Sequence, residues 1–463
     1  MAFHIDSRKW AEQQFGKCDL QDQRRTKRLM QVAEQVANHP AGSFPDQMRS
    51  WGDLKAAYRL FHTEEATWQA IAGPHWQQTR TTAPGRYLVL ADTTEIDFGY
   101  RRQVPGLSRI GNGSGRGFLL HNALMVESSS KEVLGVAGQT VHYRRAAPRQ
   151  ENDSQRFQRE RESQVWGDVI DQVGPPPEGA QWVHVCDRDA DDFEVFCRLR
   201  QNRCEWVIRA AAPHRLILTP EGEQLPQKKY LPSLRLVGTY ELHLRARPQQ
   251  PARIAKLEVR VGTLRMPIPR HTSAYVKKLQ PEPIPMGVVW VQETDAPSGV
   301  EPIKWVLYTS LPATSFEEAW QVVEYYECRW LIEEYHKALK SGCAVEQRFL
   351  QSREGLEAMV GLMSVVAVRL LQLKTAVRQD PHRAARTVVP SRWLRMLKAS
   401  RKQLKRVHDL TIYEFYRELA KLGGFLGRKS DGEPGWITIW RGWERLNTLV
   451  QGAELATQAH QCG

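Results

Sequence analysis

Apolar and polar positions along the chain change period several times, and each change predicts a different kind of element. In residues 20–38 the apolar positions Leu29, Val32, Ala33 and Val36 recur every three or four residues, which predicts an amphipathic helix. Residues 53–62 and 66–79 predict two more helices, and Pro40, Gly42 and Pro45 mark a loop before them. From residue 86 the period shortens. Residues 86–91 form a brief apolar run that ends in Asp92, and residues 182–186 form another that ends in Asp187. Residues 117–127, 133–143, 206–210 and 304–309 also read as strands, whereas 191–201 reads as a helix. Residues 144–165 are a polar loop leading into a helix. In 212–302, alternating segments such as 240–244 and 255–261 sit among many prolines and predict a β-rich insertion. Helical period returns in one long helix at 315–341, in 356–373, and through 410–460 with a loop at 427–434. No internal repeat is present. Strands followed by helices predict an α/β fold. A sheet-centred domain at 81–375, with its β-rich insertion, lies between helical regions at 1–80 and 376–463.

Composition narrows the partner. The 463 residues carry 65 Lys and Arg against 52 Asp and Glu, a formal net charge of +13. Such a balance favours an anionic partner, nucleic acid first. The seven cysteines are odd in number and lack CxxC spacing, so neither a disulfide framework nor a structural zinc is expected, and a cytoplasmic location fits. The opening segment, MAFHIDSRKWAEQQF, lacks the apolar stretch of a signal peptide. The run 356–373 contains Glu357 and Arg369 and reads as a buried helix, so no membrane partner is expected.

One constellation carries chemistry. Asp92 and Asp187 each follow a buried-strand pattern, and carboxylates placed there can share a cleft at a sheet edge. Either aspartate alone is equally a strand terminator. The segment YYECRWLIEEYHKALKSG (residues 325–342) adds the third group. At about 100° per residue, Tyr326, Arg329, Glu333, Lys337 and Lys340 fall within about 80° of one helical face. A plain Arg329–Glu333 ion pair on a solvated face is worth only about 0.3–0.5 kcal/mol and accounts for neither Tyr326 nor Lys340. A face offering Glu333 to a metal and its cations to phosphates accounts for all of them. Three carboxylates from separate elements suit Mg²⁺, with Mn²⁺ as a substitute, in a two-ion site for phosphodiester hydrolysis and transesterification.

Tyr326-x2-Arg329-x3-Glu333-x6-Lys340 resembles the Tyr-Arg-Glu-Lys signature of the insertion-sequence-four family of bacterial transposases. DTT at 92–94 and VCDRDAD at 185–191 resemble its two aspartate motifs, and DxRRTxRL at 22–29, LMSVVAVRLLQL and LAKLGGFLGRKSDG are similar too. The resemblance covers most of the chain and is weakest in 212–300 and 383–406. It implies a ribonuclease-H-like catalytic core and catalysis by Asp92, Asp187 and Glu333. It also implies cut-and-paste transposition through a hairpin on the transposon end, which needs a base turned out onto an aromatic ring. Trp305 matches the stacking position, Trp330 is a second candidate, and Arg209 resembles a DNA-contacting arginine. The resemblance makes the first domain an end-recognition module in which Arg24, Arg25, Arg28 and Arg59 face DNA. It implies a homodimer on double-stranded DNA, terminal repeats and target alike, in a bacterial cytoplasm and at the nucleoid when bound.

Two points stay open at this level. Residues 383–406 hold nine basic residues and no acidic one. Arg392, Arg395, Lys398, Lys402 and Lys405 make either a second DNA-facing stripe or a solvated helix. Trp436, Trp440 and Trp443 serve either a dimer interface or the core. A different nuclease on the same fold needs no Tyr-Arg-Glu-Lys face, and a non-catalytic regulator needs no complete carboxylate set.

Overall fold

The computed structural model describes residues 6–145, 148, 150, 152, 162–244, 251–387, 389–404, 409–428 and 431–462. Helices Ser7–Phe15, Gln23–Asn38, Phe44–Gln47, Trp51–Leu60 and Trp68–Arg80 open the chain. Their starts are set by side-chain caps: Asp6, Asp22, Ser43, Ser50 and Thr67 each accept from a backbone N–H of the first turn. Leu29, Val32, Ala33 and Val36 are all buried, so the stripe read from the sequence is the packing face.

The middle of the chain is a single twelve-stranded mixed sheet. Its strands are β1 (Gly85–Asp97), β2 (Ser108–Ile110), β3 (Gly115–Glu127), β4 (Val133–His142), β5 (Ala180–Cys186) and β6 (Glu205–Arg209). They continue as β7 (Leu216–Leu218), β8 (Gln224–Pro226), β9 (Arg235–Leu244), β10 (Arg253–Met266), β11 (Ile284–Glu293) and β12 (Lys304–Thr309). The order runs β2-β3-β1-β5-β6-β12-β11-β10-β7-β8, with β4 on β3 and β9 on β10. β1 pairs antiparallel with β3 and parallel with β5, and β6 is parallel to β5. Residues 212–302 are β-rich as expected, but they form no separate layer. β10 and β11 extend the core sheet because β12 returns between β11 and β6, satisfying the edge that β6 would otherwise expose.

Each sheet face has its own core. One face buries Leu88, Leu90, Val183, Val185, Val207 and Leu307 beneath the C-terminal half of the chain. The other buries Val89, Ala91, Cys186 and Ile208 beneath helices Gln164–Val173 and Phe193–Gln201. This is the alternation expected of strands covered on both sides.

The long helix expected at 315–341 is broken. It is a helix Phe316–Glu327, a helix Trp330–Lys337 and a π-turn Ala338–Gly342. At the break the Cys328 thiol donates back to the Glu324 carbonyl, and the Arg329 N–H bonds Tyr326 at the tighter i−3 spacing. Both effects bend a helix, and neither shows in an apolar periodicity.

Helix Arg353–Gln379 follows, and 89% of its most apolar window is buried inside the fold. It runs unbroken through residue 375, where the catalytic and C-terminal regions were divided. Helices Ser391–Ser400, Ile412–Leu422 and Trp436–Cys462 close the chain. Trp436, Trp440 and Trp443 are buried within the monomer, which settles their open reading toward core. Among the described residues, the large apolar side chains of the last helix that are exposed are Ile437, Leu449 and Leu455.

Candidate active site

The register of the sheet brings the two aspartates together. β1 and β5 pair in parallel, with Leu90 opposite Val185. Two residues farther along each chain stand Asp92 and Asp187, at one level and on one face. β5 ends at Cys186, whereas β1 runs on to Asp97, so Asp92 lies within its strand rather than at its end. Asp187 begins the turn Arg188–Ala190 and accepts the Asp189 N–H at 2.9 Å.

Helix Trp330–Lys337 packs over this face through Leu331, Ile332 and Tyr335, all buried. Burying each such side chain is worth roughly 1.5–3 kcal/mol. The packing leaves Glu333 at the helix edge toward β1. Arg329 joins the acids: its guanidinium donates to Asp92 at 3.0 Å and to Glu333 at 2.5 Å. The pair read as the bland alternative therefore exists, but it includes Asp92. The Asp92 carboxyl is pushed up to about 6, first by burial and next by the charge of Asp187. Glu333 adds to that rise and Arg329 opposes it.

Among the described residues, no three His, Cys, Asp or Glu side chains close into a ready metal cage. Arg329 stands between Asp92 and Glu333, bonded to both. The donors nonetheless suit a hard divalent cation: the charges of Asp187 and Glu333 both act on half-buried Asp92, and all three offer carboxylate oxygens.

The other predicted residues are distributed around this centre. Tyr326 is buried and meets Trp305 edge-on at 5.9 Å between ring centroids. Trp305 itself is half-buried. Trp330 is 41% exposed, with the Arg378 guanidinium 5.1 Å over its ring. Lys337 pairs with Glu334, and Lys340 with Glu346, each at 3.3 Å, so neither turns to Glu333. Arg209 ends β6 and donates to the Lys304 carbonyl at 3.3 Å. In the first domain Arg24 and Arg59 are exposed. Arg25 pairs with Glu65 at 2.8 Å and Arg28 with Asp53 at 2.7 Å, bracing neighbouring segments. Of the later basic stripe, Lys405 lies outside the described residues; Arg392 and Arg395 lie on helix Ser391–Ser400.

Sequence reasoning passed over two buried side chains beside the acids, Asn122 and His336. Asn122 is the cross-strand partner of Asp92 and lies within hydrogen-bond distance of His336. The signal was a polar residue inside the apolar run FLLHNALMV of β3.

Three family models match the chain in succession, and the catalytic-domain match takes in Asp187 and Glu333 but begins after Asp92. Residues 7–66 match the family described as transposase DNA-binding, 140–369 the transposase DDE domain, and 365–463 the transposase Tn5 dimerisation domain. The three matches follow one another in the order of the helical region, the sheet and the closing helices. They carry DNA binding, dependence on a divalent metal and pairing of two chains. The chain belongs to the DDE transposases of the Tn5 and insertion-sequence-four type, metal-dependent polynucleotidyl transferases that act on DNA.

Proposed function

We propose that this transposase works by cut and paste, on a ribonuclease-H-like core, with Asp92, Asp187 and Glu333 as the ligands of two Mg²⁺ ions that Mn²⁺ can replace. The observation that carries the reading is the level placement of Asp92 and Asp187 on one sheet face, with Glu333 tied to Asp92 through Arg329. When bound, the ions supply an activated water or 3′-hydroxyl and stabilise the leaving oxygen. Arg329 bridges two of the three acids in the free chain. In the loaded site its guanidinium is released to a DNA phosphate, a role its planar fork suits.

Domain 1–80 recognises the terminal repeat through Arg24, Arg25, Arg28 and Arg59. Arg25 and Arg28 then serve twice, since they also brace the domain. Tyr326, Lys337, Lys340 and Arg209 grip the backbone near the cut. Nicking is followed by a hairpin on the transposon end, its resolution and joining to target DNA. Residues 376–463 pair two chains in the synaptic complex. Trp305 stacks the turned-out base, and Trp330, the more exposed ring, contacts it from the signature helix.

The test is a step-by-step assay on the element's own end DNA with Mg²⁺. Trp305→Ala is expected to nick at near the native rate and to lose hairpin formation by about 10-fold or more, because base–aromatic stacking is worth about 1–3 kcal/mol. Equal loss of both steps removes the stacking role.

A further inference from the structure

A chain of buried hydrogen bonds leads from the first domain to the helix that carries Glu333. Trp76, at 4% exposure on helix Trp68–Arg80, donates its indole N–H to Gln139 Oε1 at 3.2 Å. An indole only donates, so the Gln139 oxygen must face it. The Gln139 amide nitrogen then faces inward and donates to Asn122 Oδ1 at 2.6 Å and to the Ser364 hydroxyl at 3.0 Å. That fixes the Asn122 amide in turn: its nitrogen lies 3.0 Å from His336 Nε2, which must accept. His336 is therefore a neutral imidazole with its proton on Nδ1, and burial pushes its pKa down to about 3. Gln139 and Asn122 are fully buried, and His336 is buried too. One donor-only group thus sets the direction of every later link.

His336 follows Glu333 by three residues on helix Trp330–Lys337, and Asn122 stands across from Asp92 on the neighbouring strand. Apolar packing through Leu331, Ile332 and Tyr335 holds the helix down but is not directional. A hydrogen bond is directional and fixes rotation about the helix axis. A displacement of about 1 Å at a catalytic group can cost on the order of 100-fold in rate.

We propose that Asn122 and His336 are positioning residues. Their hydrogen bond, oriented through Gln139 and Trp76, locks the rotation of the signature helix over β1 and so holds the Glu333 carboxylate level with Asp92 and Asp187. The role rests on the reading of Glu333 as a metal ligand. It also means that the helical domain and the glutamate share one buried polar path.

The test measures Mn²⁺ binding by electron paramagnetic resonance on the full-length chain bound to its end DNA, together with end cleavage and thermal melting. His336→Leu removes the acceptor at similar volume and is expected to weaken Mn²⁺ binding about 10- to 100-fold, as loss of an outer partner does. DNA binding without metal is expected to stay unchanged. His336→Gln offers an amide oxygen near the old Nε2 and is expected to restore most of the affinity. Asn122→Ala breaks the same link from the other side and is expected to match His336→Leu. Native Mn²⁺ affinity in folded His336→Leu or Asn122→Ala overturns the proposal. So does a Gln variant that folds but fails to rescue, or unfolding of both broken-link variants, which makes the chain purely structural. Glu333→Ala separates the two levels: Mn²⁺ binding that survives it overturns the metal reading itself, whereas an inert His336→Leu beside a Glu333→Ala that binds no Mn²⁺ overturns only the positioning role.

Discussion

At the scale of single residues, Asp92 shows how a site can be charged against its own stability. Its acid is raised from 3.8 to about 6, by burial first and then by Asp187. Between those values the folded chain holds a proton that the unfolded chain has released. The stabilising contribution is therefore full below about 4 and is lost as pH rises through 6. At neutral pH the ionised carboxylate is a standing cost, on the order of 2–3 kcal/mol from a shift of about two units. Asp92→Asn keeps the shape and removes the charge. It is expected to raise the melting temperature at pH 7 without metal, to lose that advantage near pH 4, and to abolish cleavage. A melting point at pH 7 equal to or below the native one contradicts this account. The same residue marks a limit of sequence reading. The apolar run before it was legible, but its level pairing with Asp187 depends on register between strands distant in sequence, which no local pattern encodes.

At the scale of elements, most helices and strands were legible because their apolar period is strong, and β12 was placed at its observed bounds. The break at Cys328–Arg329 was not, because a thiol bonding back to Glu324 leaves no mark in an apolar period and an arginine drawn to Asp92 is a tertiary event. The helical face read from ideal geometry therefore holds for Arg329 and Glu333 but disperses Lys337 and Lys340 onto Glu334 and Glu346. The neighbouring Glu334 ties this helix to the rest of the chain. It is bonded by Lys374 from helix Arg353–Gln379 and by the Trp436 indole at 3.3 Å, and Lys374 lies 4.4 Å over the Trp436 ring. Gly342 completes the joint, since a Cβ there would meet Trp440 Nε1 at 2.7 Å. Lys374→Met leaves the Glu334 charge with only the more exposed Lys337 as its cation and is expected to destabilise by about 1–3 kcal/mol. Lys374→Met with Glu334→Gln is expected to recover much of the loss in a double-mutant cycle. Additive losses in the cycle rule out the coupling.

At the scale of the whole molecule, the basic excess named the partner class but not the site, and the carboxylates named the chemistry but not its support. Among the described residues, four histidines are buried. His75 is pushed down to about 4, and His121, His184 and His336 to about 3, with burial the leading cause at each. A histidine whose folded value lies below its unfolded value contributes stability that is full above about 6.5 and is lost as pH falls toward the folded value. These four outweigh the opposite slope of Asp92. The melting temperature is therefore expected to drop steadily between pH 7 and pH 5, and a flat or rising profile contradicts the neutral buried state assigned to them.

The central claim is that Asp92, Asp187 and Glu333 hold the catalytic metal. The most direct measurement is anomalous diffraction from crystals of the chain with its end DNA and Mn²⁺. The account predicts two peaks about 3.5–4 Å apart, contacted by all three carboxylates, with Arg329 withdrawn from Glu333. Peaks that lack Glu333 as a ligand, or an Arg329 still joining Asp92 to Glu333 beside bound metal, would contradict it.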